Sequence, residues 1–249
     1  MRTTVVALLL AAAVPAAAIA ASVPAYVTKA LAAPAREADR KDDARRKGAE
    51  VTAFAGVKPG QTVVDLLPGG GYWTRIFSGV VGPKGKVYDV WPAAMVAPGA
   101  RGEARMKALV GQPGMENVEA LPVDLAAYKT PPADVVFTSQ NIHDLPNTSF
   151  GGMDITAFSK MVLASLKPGG RFIVIDHSGK PGSGMTETDT LHRIEPKVVK
   201  DAIVAAGFKF AGESPLLAHP ADDHTLKVFD PSLRGNTDQF LYAFEKPKK

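Results

Sequence analysis

The sequence predicts one α/β domain, a mainly parallel sheet of seven strands with helices on both faces. Three observations predict it. From residue 62 onward, short apolar runs of strand length alternate with stretches of helical period. A glycine-rich turn, Gly69-Gly70-Gly71, follows the first of these runs. A second turn, Lys167-Pro168-Gly169-Gly170, feeds the fifth. The 249 residues suffice for a targeting segment and one sizeable core, and no repeat or second core is visible.

At the N-terminus, Arg2 precedes the apolar run Val5–Ala20, and Ala18-Ile19-Ala20 supplies small residues at signal-peptidase spacing. The run is short for a membrane span of about 20 apolar residues. Residues 1–21 therefore read as a cleaved signal peptide, with a retained anchor as the alternative, and the expected location is periplasmic or otherwise exported. Ser22–Pro34 reads as a linker, and residues 35–249 as the domain. Arg36–Phe54 reads as a charged helix over the domain's edge. Thr62–Leu67 is a buried strand, and the glycine turn opens a helix carrying Trp73, Ile76 and Phe77. Lys86–Trp91 is the second strand, Glu103–Val110 a helix and Val118–Leu121 the third strand. Asp134–Thr138 is the fourth, and Asp154 caps a helix whose apolar face carries Ile155, Phe158, Val162 and Leu166. Arg171–Asp176 is the fifth strand, and Pro196 opens a helix closed by Gly207. Phe208–Phe210 and Phe240–Phe244 are strands flanking a long polar excursion.

Composition narrows the function classes. Hydrophobic residues at 46% and charged residues at 22% are ordinary for a soluble globular protein. A net charge of +4 and a pI near 9.2 look basic, but the positive residues are scattered and often sit beside carboxylates. There is no basic stripe with interleaved aromatics, so a small-molecule substrate is expected and a nucleic-acid partner is not. No membrane span is expected once the signal is removed, and the sequence sets no oligomeric state. Zero cysteines excludes disulfides, thiolate nucleophiles and Cys-ligated zinc.

The segment Val63–Tyr72 is a strand running into a glycine turn and then a helix, where free N–H groups and close backbone approach favour a ligand. A P-loop needs Gly-Lys-Ser/Thr, which is absent, and a dinucleotide fingerprint wants a small residue where Thr74 stands. The remaining option resembles the first motif of class I S-adenosylmethionine-dependent methyltransferases, with Asp65 and Gly69-x-Gly71 in register. Gly85-Lys86-Val87-Tyr88 and Leu166–Gly170 extend the resemblance over most of residues 36–247. Pro68–Tyr72, His143-Asp144, Asp222–Thr225, Val228–Pro231 and Arg234–Phe240 further resemble a family of predicted exported methyltransferases. The resemblance implies a Rossmann-like, doubly wound sheet with an antiparallel last strand. It also implies S-adenosylmethionine as cofactor, held by Asp65, Gly69 and Gly71, with Asp124 near the adenine. Two positions depart from the superfamily pattern. Leu67 replaces the first loop glycine, and Trp91 replaces the acidic residue that ends the second strand and grips the ribose hydroxyls. Either Asp89, two residues earlier, partly substitutes, or Trp91 stacks on the ligand.

In a doubly wound sheet the site lies beyond the carboxyl ends of the strands. Gln140–Asp144 follows the fourth strand, Asp176-His177-Ser178 the fifth, His192-Arg193 lies in the next loop, and Asp222-Asp223-His224 in the late excursion. His143 and His177 are candidate bases, with Asp144 grouped beside them, because imidazole titrates near neutrality. Arg193 and Arg234 either bind an acidic substrate or pair with Asp222 and Asp230. His143, Asp144, Asp176 and His177 are ligand types that could converge on an ion, but no spacing within one element demands it, and no metal is assigned. Two other readings compete with methyl transfer. One is a non-enzymatic ligand-binding protein that kept the fold and lost the cofactor, favoured by Trp91 and by export away from the ATP needed to make that cofactor. The other is a metal-assisted enzyme using the His/Asp cluster.

Overall fold

The computed structural model describes residues 22–248. The signal peptide expected over residues 1–21 lies outside them. Residues expected as a linker instead contain a helix, α1 (Ala25–Leu31). Its Val27 and Ala30 are buried against the rest of the fold, and apolar burial of that kind, invisible in a seven-residue stretch, is what orders it. The single helix expected over Arg36–Phe54 is also corrected. Pro34–Asp42 winds as a 3-10 helix, α2 (Asp43–Arg46) follows, and Lys47 at φ 51° breaks the chain before α3 (Gly48–Ala55).

Seven strands follow the predicted order: β1 (Thr62–Leu66), β2 (Lys86–Pro92), β3 (Val118–Val123), β4 (Ala133–Ser139), β5 (Leu166–His177), β6 (Lys209–Ser214) and β7 (Gln239–Glu245). They form one sheet in the order β3-β2-β1-β4-β5-β7-β6. All neighbours from β3 to β5 run parallel, while β7 enters antiparallel between β5 and β6. The doubly wound Rossmann-like plan with an antiparallel last strand is thus the observed one. The turn expected at Lys167–Gly170 is absorbed into the start of β5, with an irregularity in the β4–β5 register and Gly169 at φ 74°.

The helices complete the two faces. α4 (Tyr72–Val81) packs Ile76 and Phe77 with α1 and α3 over Val63, Phe137 and Ile173 of the sheet. A short α5 (Glu103–Lys107) follows β2. On the other face, α6 (Ile155–Ser165) and α7 (Pro196–Ala205) lay Phe158, Val162, Val199 and Ile203 over Val64, Val136, Phe172 and Phe244. Asp154 caps α6 as expected, its Oδ1 accepting from Ala157 N at 2.7 Å. Strand order reverses between β1 and β4, and doubly wound sheets take ligands in the crevice at such a reversal. No helix among the described residues is long and apolar enough to cross a membrane.

Candidate active site at the carboxyl ends of the strands

The glycine turn joins β1 to α4. Gly69 and Gly71 hold φ of 59° and 77°, which L-residues disfavour, and Leu67 adopts φ 54° where the superfamily has glycine. The backbone therefore keeps the glycine-type turn even though the glycine is gone. Gly69 borders open space, whereas a Cβ on Gly71 would collide with the Leu109 side chain. A hollow of about 320 Å³ opens beside the turn, lined by Asp65, Leu67, Gly69, Gly70, Arg46 and Asn141 among others. Asn141 Nδ2 fastens the β4 loop to the turn, reaching Leu66 O at 3.3 Å and Ser139 O at 2.9 Å.

Below the turn, Asp65 and Asp89 are register neighbours on β1 and β2, and both are buried. Thr74 Oγ1 lies 2.8 Å from Asp65 Oδ2 and 2.9 Å from Asp89 Oδ1. A hydroxyl has one proton to donate, so one of the two carboxyls must be protonated and donate to it. Burial pushes Asp65 up to about 7, and burial with the Asp65 charge pushes Asp89 up to about 8. The pair, bridged by Thr74, therefore holds one proton between its two carboxyls. Asp89 is bonded to Thr74 inside the fold and has no solvent exposure. Trp91 is buried with Val96 and Leu109. Both side chains at the β2 end are therefore buried, Asp89 under Thr74 and Trp91 beside Leu109. Asp124 caps the turn Leu125–Ala127, its Oδ1 accepting from Ala126 N at 2.9 Å. It also lines a wider apolar hollow of about 770 Å³ with Pro92–Met95 and Met153.

The polar residues after β4 and β5 form a second constellation. Asp176, fully buried, accepts from the backbone N–H of His143 and of His177, each at 2.8 Å, and its Oδ1 is 2.7 Å from His143 Nδ1. Burial alone would raise Asp176, but the His143 charge and these hydrogen bonds hold it below the usual carboxylate range. Burial likewise opposes a charge on His143, yet Asp176 outweighs it and raises the imidazole. His143 Nε2 faces His192 Nδ1 at 3.3 Å and Asp144 Oδ1 at 3.4 Å. His177 turns away, with Nδ1 2.8 Å from Thr237 Oγ1, and burial pushes it down to about 4. It lines a hollow of about 350 Å³ with Arg45, Arg46, Gln140, Arg234 and Phe229. Arg193 is buried and bound to Asp222 at 2.9 Å, so it clasps the late excursion to the fold. His224 pairs with Asp238 and stands outside the His143 cluster.

The structure thus gathers Asp65, Gly69 and Asp124 around two hollows, and His143 with Asp144 in one cluster; Gly71 serves the turn. Two residues had no role assigned from sequence. His192, placed there only in the loop after the fifth strand, meets His143 because that loop folds back over the site. Arg46 borders both polar hollows, and nothing in a charged helix-like stretch singles it out.

Known proteins match this architecture. A solved S-adenosylmethionine-dependent methyltransferase from Aquifex aeolicus superposes with a TM-score of 0.55 at 20% identity, covering 88% of this chain and 96% of that one. The likeness defines the fold as that of class I methyltransferases. In sequence, the chain is 30% identical over 183 residues to the ubiquinone/menaquinone biosynthesis C-methyltransferase of Shewanella woodyi, and 32% identical to that of Salmonella arizonae. These matches cover 70% of this chain and 65% and 66% of the relatives, so the chain spans slightly under two thirds of their length. No family model matches the sequence. In fold and in sequence the chain is thus similar to class I S-adenosylmethionine-dependent methyltransferases.

Proposed function

We propose that this protein is an exported S-adenosylmethionine-dependent methyltransferase whose small acceptor carries an anionic group. The observation that carries the reading is the pair of hollows that meet at Arg46 and Gln140, one beside the glycine turn and one lined by arginines. The residues fit the cofactor's methionine end. Gly69 and Gly70 border open space at the N-terminus of α4, and Arg46 is a cation for a carboxylate. The apolar hollow beside Asp124 fits an adenine. The ribose lacks its carboxylate partner, because Asp89 and Trp91 are both committed to the interior. When bound, the cofactor supplies an electrophilic methyl carbon.

What the chain contributes is chiefly position. Arg234 and Arg45 orient an anionic acceptor in the second hollow. His177, neutral at pH 7 because its pKa lies near 4, accepts a proton there. An oxygen gaining a methyl group becomes strongly acidic, so a weakly basic imidazole suffices. His143 does not serve as this base, since its outward nitrogen faces His192. Export rests on the Val5–Ala20 run alone.

Calorimetric titration of the mature chain with S-adenosylmethionine and S-adenosylhomocysteine tests the reading. Binding is expected to be weak, since a missing bidentate, charge-assisted contact costs on the order of 1.5–3 kcal/mol, about ten- to a hundredfold. Gly69→Val should abolish it while the fold persists. No heat of binding from folded wild-type protein overturns the assignment.

A further inference from the structure

We propose that His143 Nε2, Asp144 Oδ1 and His192 Nδ1 form a binding site for a divalent transition-metal ion of the zinc class. Their separations are 3.3, 3.4 and 3.8 Å. Ligands about 2.0–2.1 Å from a tetrahedral ion lie about 3.3–3.4 Å apart, so two edges already match. Asp144, whose side chain is 21% exposed, closes the third by a small turn. Two imidazoles and one carboxylate are a donor set suited to zinc and its neighbours, and they leave a fourth position for water.

Three further features are those of a built site. Asp176 accepts from His143 Nδ1–H, which fixes the tautomer and turns the Nε2 lone pair toward the cluster. His192 also holds φ 55°, a conformation that costs a non-glycine residue energy and is kept here where it aims the ring at His143. Phe229 covers the outer side of that ring, the centroids 4.9 Å apart.

The test uses the mature chain stripped with a chelator and titrated with Co²⁺ alone, read by visible absorption, and with Zn²⁺ by calorimetry. One equivalent of Co²⁺ giving intense four-coordinate bands is expected. His192→Gly removes a ligand and relieves the backbone, so it should fold as well as wild type yet lose the bands. Asp176→Asn should weaken binding ten- to a hundredfold, whereas His219→Ala should leave it unchanged. A folded wild-type chain that binds neither ion, or a His192→Gly chain that binds Co²⁺ as wild type does, overturns the site. Neither outcome bears on cofactor binding, since no S-adenosylmethionine is present.

Discussion

Asp65, Thr74 and Asp89 show how one hydroxyl between two buried carboxyls fixes a protonation state. Arg46 and Arg75 are the nearby cations that oppose the upward shifts, and burial outweighs both. An unfolded aspartate titrates near pH 3.9, while Asp89 in the fold titrates near 8. Between those values the native state holds a proton the unfolded chain has lost, so stability falls as pH rises from about 4 through about 8. Asp89→Asn replaces the acid by a neutral group that still donates to Thr74. Thermal melts from pH 5 to 9 should show wild type losing several degrees, at roughly 2–4 °C per kcal/mol, with a markedly flatter profile for the variant. Parallel profiles would mean that Asp89 is ionised in the native protein.

At the scale of an element, the β1–α4 turn separates two uses of glycine. Gly69 and Gly71 share a left-handed backbone, so an alanine at either costs on the order of 1–2 kcal/mol. Gly71→Ala adds a clash with Leu109, itself packed on Trp91, and overpacking costs about 1–3 kcal/mol more. Gly71→Ala should therefore melt well below Gly69→Ala, while Gly69→Ala should show the larger loss of cofactor affinity for its loss of stability. Equal melting temperatures would show that Leu109 moves aside. The same turn bears on what was readable. Leu67 looks like a broken motif in sequence, yet its φ of 54° preserves the motif's geometry.

On the scale of the whole molecule, α1 is part of the domain rather than an approach to it. Ala30 seats against Gly79 of α4, where a Cβ would lie 3.0 Å from its own. Burying Val27 alone contributes about 1.5–3 kcal/mol. A chain beginning at residue 34 should melt several degrees below one beginning at residue 22. Cleavage near Ala21 would leave α1 intact, so sequencing of the native mature protein is expected to start there, in a cell-envelope fraction. Intact Met1 in the cytosol would refute export, and an unchanged melting temperature would make α1 dispensable.

Alternation of apolar runs with helical periods determined the seven strands, their order along the chain and α4, α6 and α7, because those signals are local and periodic. The Gly69–Gly71 turn and Asp154 were legible for the same reason: each meets a backbone need within a few residues. Tertiary structure alone decided the rest. Whether Asp89 and Trp91 face a ligand depended on Thr74 and Leu109 filling the space above β2. Whether His143 meets His177 or His192 depended on how the loop after β5 folds back, and on Asp176 turning the His143 ring. Side-chain direction at the end of a strand is set by what packs over it, and those neighbours come from distant parts of the chain.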